Sequence, residues 1–351
     1  MIRRRAIGAM AFAGAAAGSA ALGHYAKRRA IAGIEPLAES TWADLCRPVH
    51  GRVQTVRSCD GTRLHVEVLG PDDAPTILLA HGYTLSQHAW HYQRRALSAR
   101  FRLVCYDQRG HAASAVAAAG DYSMGALGRD VAAVLDATTV PGGPVVAVGH
   151  SMGGMAILSF AEQFPEQLDR VAGVALVSTA AGSVIAGGAF TAGAAVLAVL
   201  RGRLPGVRHR AVARSGDPAD WPDPAPPDLV FLLTRSLALH PDADPAHIAF
   251  TEQLMMECPA GVKSALGPTL TSVRLAHIAE RLTMPGLVMV GEHDRLTPLG
   301  PARRLAEAMP DARLVVLPGA GHMAPLEAHE RVSAELAAFA DQVLAGRPRS
   351  A

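Results

Sequence analysis

From Arg52 onward, short hydrophobic runs alternate with longer stretches in which hydrophobic residues recur every three or four positions. The short runs predict buried strands and the longer stretches predict helices. Buried strands are predicted at 76–82, 101–107, 144–151, 171–178, 286–294 and 312–322, after an antiparallel hairpin formed by 53–58 and 63–70. Helices are predicted near 89–99, 122–137, 152–164, 300–308 and 324–344. This alternation is typical of an α/β fold with a mostly parallel, eight-stranded-type sheet flanked by helices.

The alternation stops between residues 180 and 283, a segment too long for an ordinary loop. It contains a proline-rich stretch, 221–228, and helical patterns near 229–239 and 245–257. We therefore expect an inserted helical cap over the sheet. In chain order, we predict a hydrophobic anchor or signal-like segment at 1–30, a linker at 31–51 and the first part of the core at 52–179. The cap follows at 180–283, the second part of the core at 284–345 and a tail at 346–351.

The N-terminus has the layout of a signal or anchor segment. Three arginines at 3–5 precede an uncharged run at 6–23, and the basic stretch HYAKRR follows at 24–29. The run is just long enough to cross a bilayer, but it consists mostly of alanine and glycine, which insert weakly. We expect a membrane-associated or exported protein that contacts the membrane through 6–23 and through the cap; a cytoplasmic protein with a soluble extension is the alternative.

Charge and cysteine content narrow the function classes. The formal net charge is +2, and the first thirty residues hold six basic residues and no acidic one, so the remainder carries −4. A mildly acidic body argues against nucleic acid as a partner. The four cysteines are far apart and form no CxxC pair, which predicts neither a zinc site nor a disulfide framework. The sequence has no phosphate-binding loop, HExxH or strand-linked dinucleotide motif, so we expect no metal or organic cofactor.

The candidate chemistry begins with GHSMG at 149–153, which fits the pattern G-x-S-x-G. It lies after a predicted strand and before a predicted helix, the context of a nucleophile elbow. So tight a reversal strains the backbone of Ser151, and a Cβ at Gly149 or Gly153 would collide with neighbouring backbone. The start of the following helix supplies free N–H groups for an oxyanion. Ser151 is therefore the candidate nucleophile.

A serine hydroxyl needs a general base, and the base needs an acceptor that fixes its tautomer. His322 ends the strand segment at 312–322 and Asp294 ends the preceding one, which gives the chain order serine, aspartate, histidine. Parallel strands bring all three positions to one edge of the sheet. His322 is the predicted base and Asp294 the predicted acid, with Glu292 as the second choice of acid.

These motifs resemble the alpha/beta hydrolase fold over residues 52–345. The resemblance also includes HGY at 81–83, DQRGH at 107–111 and Pro298 after Asp294. It implies an oxyanion hole made by the backbone N–H groups of Tyr83 and Met152, each contributing ~3 kcal/mol. Ala112 and Ala113 follow His111 where the family often has glycine and a polar or basic residue, and His329 stands where it often has proline. We expect His81, His111 and His150 to shape loops.

A Ser-His-Asp triad with an oxyanion hole performs acyl transfer, and hydrolysis of a carboxylic ester is the reaction we expect. A peptidase, a thioesterase or a hydrolase of carbon–carbon bonds would use the same triad, and a non-catalytic binding protein of this fold is a separate alternative. The cap gives a hint about the substrate, because 180–200 is uncharged throughout. This run is either a cap helix buried against the core or an apolar wall for an acyl chain. We expect a small-molecule acyl substrate, and a lipophilic one.

Overall fold

The computed structural model describes residues 38–47, 49–117, 119–139, 143–182 and 229–345. Its centre is an eight-stranded sheet in the order β1-β2-β4-β3-β5-β6-β7-β8. The strands β1 to β8 are Arg52–Arg57, Arg63–Leu69, Thr76–Ala80, Arg102–Tyr106, Val145–His150, Val171–Val177, Gly286–Gly291 and Ala312–Leu317. Strand β2 is antiparallel to both β1 and β4, and the other neighbours pair in parallel. The predicted α/β fold with a mostly parallel sheet is confirmed.

The described α-helices are numbered α1 to α11 along the chain. They are Glu39–Leu45, His91–Leu97, Met124–Thr138, Met152–Gln163, Leu229–Ala238, Pro245–Glu257, Ala260–Thr271, Ala276–Ala279, Leu299–Ala308, Ala324–Glu327 and His329–Leu344. Short 3₁₀ helices cover Gln87–Trp90 and Pro165–Arg170. Helices α5 to α8 lie between β6 and β7 in the chain.

Alternate residues of the central strands face two separate apolar layers. In β3, Leu78 and Ala80 belong to the layer that contains residues of α3, α4, α7 and α9, whereas Ile77 and Leu79 belong to the layer that contains residues of α2 and α11. Every residue of β5 and β6 is buried. Burial on both faces explains why these strands are continuous hydrophobic runs in the sequence.

A third apolar cluster joins α1 to the segment between β6 and β7. Leu45 of α1 is fully buried there, together with Phe250 of α6 and Met323 and Leu326 near α10. Trp42 packs edge-on against Phe250, with their ring centroids 6.5 Å apart. Residues 39–45 thus form a helix where the sequence predicted only a linker. A helix this short gains its stability from packing, which a local pattern does not reveal.

The structure differs from the sequence-based expectation in a second element. The single helix expected near 324–344 is two helices, because Ala328 leaves the helical region with φ −119° and ψ 38°. Both helices contact α2, so the apolar pattern continues across the break. The predicted run at 6–23 and nearly all of 180–200 lie outside the described residues. Among the helices that are described, none is long and apolar enough to cross a membrane.

Candidate active site

Ser151 occupies a strained turn between β5 and α4. Its backbone has φ +52° and ψ −119°, a region that side chains larger than glycine's rarely adopt. A Cβ on Gly149 would lie 2.4 Å from the Gly154 nitrogen, and one on Gly153 would lie 2.2 Å from the Ala80 oxygen. The expectation that both glycines are required by backbone contacts is confirmed. The turn is held in place because the Ser151 N–H donates to the Val177 oxygen over 2.9 Å.

Asp294 and His322, predicted from separate strand ends, are hydrogen-bonded to each other. His322 Nδ1 lies 2.9 Å from Asp294 Oδ2 and 3.1 Å from Oδ1. Both residues are nearly inaccessible to solvent. Because the carboxylate accepts a hydrogen bond, Nδ1 carries the proton and Nε2 is the basic nitrogen of the neutral ring.

The Asp294 carboxylate is also saturated by donors of its own turn. Oδ1 accepts the N–H groups of Leu296 and Thr297 over 2.9 and 2.8 Å, and Oδ2 accepts the Thr297 hydroxyl over 2.7 Å. Burial alone would raise the pKa of Asp294, but the His322 imidazole and the Thr297 donors hold that pKa below its usual range. Asp294 is therefore an anion that keeps His322 oriented.

The second-choice acid, Glu292, does not reach the imidazole of His322. Its side chain is 54% exposed, and it lies 3.9 Å from His293 and accepts a long hydrogen bond from the Gly319 N–H. The structure thus brings His322 together with Asp294 and leaves Glu292 at the surface.

The two candidate oxyanion donors lie at neighbouring strand ends. Met152 is the first residue of α4, where backbone N–H groups have no intrahelical acceptor. Tyr83 follows β3, which is adjacent to β5 in the sheet. Glycine is required at position 82, directly before Tyr83, since a Cβ there would lie 2.8 Å from His150 Nδ1. The sheet order changes direction at this point, where ligand sites of α/β folds form.

Histidines hold the loop that carries Tyr83. His81 Nδ1 donates to the Gly82 oxygen over 2.7 Å, and its Nε2 accepts the Gln108 N–H over 2.9 Å. The N–H of Thr84, whose φ is +62°, donates to His111 Nε2 over 3.2 Å. Burial lowers the pKa of His81 below its usual range and lowers that of His111 to about 4. Both rings are neutral at physiological pH and act as fixed hydrogen-bonding groups.

His150, next to Ser151, forms a hydrogen bond with the backbone of His322. Its Nε2 donates to the His322 carbonyl oxygen over 2.9 Å, and the two ring centroids are 5.0 Å apart. Burial lowers the pKa of His150 to about 3. A neutral His150 thus fixes the backbone of His322 without competing for its proton.

The family model described as "Alpha/beta hydrolase family" matches residues 77–335. The chain belongs to this family. A curated relative named "Putative carbamate hydrolase RutD", from Variovorax paradoxus (strain S110), is 32% identical over 260 residues, which are 74% of this chain and 89% of the relative. The "Bifunctional esterase/perhydrolase DCH" of Acinetobacter calcoaceticus is 27% identical over 305 residues, or 81% of this chain and 98% of the relative.

A solved structure extends this similarity to three dimensions. The thermophilic esterase from Thermogutta terrifontis has a TM-score of 0.65 to this chain and 26% sequence identity, and the match covers 84% of this chain and 99% of the esterase. With the family match and the hydrolase relatives, this likeness shows that the protein is an α/β-hydrolase enzyme.

Two groups around this candidate site were not predicted from the sequence. Thr297 supplies two of the donors to Asp294. Glu327 lies close enough to His322 and Asp294 for their charges to shift its pKa. The first had a signal, because an aspartate followed within three residues by threonine often closes a turn through its own carboxylate. The second had none, since Glu327 reaches the site only through the fold.

Proposed function

We propose that this hydrolase cleaves a carboxylic ester through an acyl-enzyme on Ser151. The observation that carries the proposal is the 2.9 Å contact between His322 Nδ1 and Asp294 Oδ2, at the same edge of the sheet as the strained elbow of Ser151. An oriented imidazole is what a weak serine nucleophile requires.

In the acylation half, Ser151 Oγ attacks the carbonyl carbon of the ester while His322 Nε2 takes the hydroxyl proton. The carbonyl π-electron pair moves onto oxygen, and the backbone N–H groups of Tyr83 and Met152 stabilise this oxyanion. Asp294 remains ionised and stabilises the imidazolium. When the carbonyl re-forms, the alcohol leaves with the proton from His322, and the acyl group stays on Ser151.

In the deacylation half, a water molecule gives a proton to His322 Nε2 and attacks the acyl carbon. The second oxyanion uses the same two N–H donors. The bond to Ser151 Oγ then breaks, the proton returns to Oγ, and the carboxylic acid is released with the enzyme restored.

The bond type and the acyl group are the finer parts of this proposal. A carbamate is the second candidate, favoured by the name of the Variovorax paradoxus relative. Amides, thioesters and carbon–carbon bonds would use the same residues. A lipophilic acyl chain is supported by the uncharged sequence at 180–200. We expect esters of octanoate to give a higher kcat/KM than acetate esters, and the reverse order would contradict the lipophilic preference.

The N-terminal run at 6–23 supports a proposed membrane-associated or exported location. Fractionation of cells expressing the full chain tests it, because recovery in the soluble cytoplasmic fraction alone would contradict the proposal.

A fluorophosphonate probe tests the proposed nucleophile. The full chain should become labelled at one site, and Ser151→Ala should abolish the label. Ser236→Ala, at an exposed serine, is the matched control and should label like the wild type. A folded wild type that takes no probe would overturn the proposal and favour a non-catalytic binding protein. Equal labelling of Ser151→Ala would also overturn the proposal, because the reactive nucleophile would then be another residue.

A further inference from the structure

The loop that carries His322 is bonded directly to the segment that follows α5. The backbone N–H groups of His322 and Met323 both donate to the Ala238 oxygen, over 3.0 and 3.1 Å. A Cβ on Gly321 would lie 2.6 Å from the Leu239 carbonyl carbon. The position of His322 therefore depends on where residues 238–240, here called the cap turn, are seated.

Glu327 closes this contact from the other side. It is the last residue of α10, and its Oε2 accepts the His240 N–H over 2.6 Å. Its Oε1 is buried and has no hydrogen-bond partner within the described part of the chain. One carboxyl group thus joins the cap turn to the segment after His322.

The charge of Glu327 changes near neutral pH. Burial raises its pKa to about 7, although the backbone N–H groups of His240 and Gly321 and the nearby His322 oppose the rise; Asp294 adds to it. The same carboxyl is thus charged in weakly alkaline solution and neutral in weakly acidic solution.

Other charged or titratable groups on the elements packed against α10 have partners elsewhere or are exposed. In the 3₁₀ helix Gln87–Trp90, His88 Nδ1 accepts from Arg94 over 3.3 Å. In α2, Arg94 and Arg95 pair with Glu67 and Asp44, and His91 lies 4.0 Å from Asp44. In α11, the ring of His329 stacks on Tyr92, and Glu330 is exposed. On the cap turn, the ring of His240 packs against His293.

We propose that Glu327 is a positioning residue for His322: it fixes the His322 loop against the cap turn, and its carboxylate supports the positive charge that His322 acquires during catalysis. The inference rests on the proposed function, in which His322 takes the proton of Ser151. An anion near the imidazolium stabilises the transition state more than the ground state, so it should raise kcat and leave KM almost unchanged.

Keeping this carboxylate ionised opposes folding. Because the pKa of Glu327 is higher in the folded protein than in the unfolded chain, its contribution to stability is complete below the unfolded pKa and is lost as pH rises through about 7. A neutral glutamine would keep an oxygen acceptor for His240 without this loss. Activity and stability should therefore respond in opposite directions to the same substitution.

The experiment compares the full-length wild type with Glu327→Gln, Glu327→Ala and the control Glu330→Gln. For each, kcat and KM for a p-nitrophenyl ester are measured from about pH 5.5 to about pH 9, together with the melting temperature. At about pH 8.5, Glu327→Gln should melt above the wild type yet have a kcat about three- to tenfold lower. The kcat of Glu327→Gln should also lack the change near pH 7 that the ionisation of Glu327 produces in the wild-type pH profile. Glu327→Ala should lose more activity and melt lower, and Glu330→Gln should match the wild type.

A Glu327→Gln variant with the wild-type kcat and pH profile would overturn the inference, even if Glu327→Ala failed to fold. So would a Glu327→Gln variant that lost kcat only in proportion to a lower melting temperature. Fluorophosphonate labelling of the wild type separates the two proposals. An unlabelled wild type contradicts the proposed function itself, whereas a labelled, active wild type with an unaffected Glu327→Gln variant contradicts only the role of Glu327.

Discussion

Two carboxyl groups near His322, the buried Asp294 and the half-buried Glu327, have pKa values that are shifted in opposite directions. Asp294, in the turn after β7, has a pKa below its usual range, whereas Glu327, at the end of α10, has one raised to about 7. Burial raises the pKa in both cases. The difference lies in the donors: Asp294 accepts from the His322 ring and from two N–H groups and one hydroxyl of its own turn, and Glu327 accepts one close bond from His240.

The site thus contains one carboxylate that stays ionised, Asp294, and one carboxyl group whose charge changes near neutral pH, Glu327. Hydrogen bonds to the ionised form, rather than exposure, keep Asp294 charged. Glu327 lacks that support, so its charge depends on pH and on its contact with the cap turn. Asp294 orients the imidazole of His322. In our proposal, the pH-dependent charge of Glu327 changes the electrostatic potential at that imidazole.

The largest effect should come from removing the permanent charge. Asp294→Asn places an amide opposite His322 Nδ1 and favours the wrong tautomer, so kcat should fall by about 10⁴-fold with little change in KM. Steady-state kinetics at saturating substrate measure it. Glu292→Gln is the control, because Glu292 is exposed and does not touch His322, and it should keep wild-type kcat. A large loss in the control with a small loss in Asp294→Asn would reverse the assignment of the acid.

An intermediate effect should come from separating the cap turn from the His322 loop. Gly321→Ala adds a methyl group where the Leu239 backbone already lies, which should destabilise the fold by about 1–3 kcal/mol. Displacement of His322 should lower kcat by about 10- to 100-fold. Urea unfolding and kinetics measure the two effects.

Gly319→Ala is the matched control for that variant. Gly319 has φ +65° but nothing within 4 Å of an added Cβ, so the control should lose about 1 kcal/mol of stability through backbone strain and keep its kcat. Equal kcat losses in both variants would show that the cap turn does not position His322.

A smaller effect should come from removing one of the hydrogen-bond donors to Asp294, which leaves its carboxylate less well stabilised, as that of Glu327 is. Thr297→Val removes the hydroxyl donor but keeps the shape, so kcat should fall by about tenfold or less, and Thr297→Ser should restore it. Because the folded pKa of Asp294 is lowered, the stability it contributes is present above the unfolded pKa and is lost as pH falls. The stability difference between Thr297→Val and the wild type should therefore shrink in acid, and a difference that grows there would contradict this view of Asp294.

The sequence predicted the features that local chemistry determines. Buried parallel strands appear as apolar runs, so the ends that carry Ser151, Asp294 and His322 could be located before the structure was known. The glycines around Ser151 followed from the tightness of the turn. The choice of Asp294 over Glu292 followed from its position at the end of the predicted strand, and its role as the acid stays a prediction. In the structure, His322 Nδ1 lies 2.9 Å from Asp294 Oδ2.

Features that depend on distant backbone groups could not be predicted in this way. The acceptor for the His322 and Met323 N–H groups is a carbonyl of Ala238, which no side-chain pattern reveals. Glu327 looks like an ordinary helical glutamate, and the break at Ala328 is hidden because the apolar pattern continues on both sides. Helix α1 owes its place to contacts with α6, more than 200 residues away in the chain.

Rapid mixing of the full-length protein with p-nitrophenyl acetate tests whether an acyl-enzyme forms on Ser151. We expect a burst of p-nitrophenolate, one per enzyme molecule where deacylation is slower, and one acetyl group on the peptide containing Ser151 after acid quenching. Glu327→Gln should show the same burst size with a slower rate. Steady ester hydrolysis by the wild type with the acetyl group on another residue, or full activity in Ser151→Ala, would show that Ser151 is not the nucleophile.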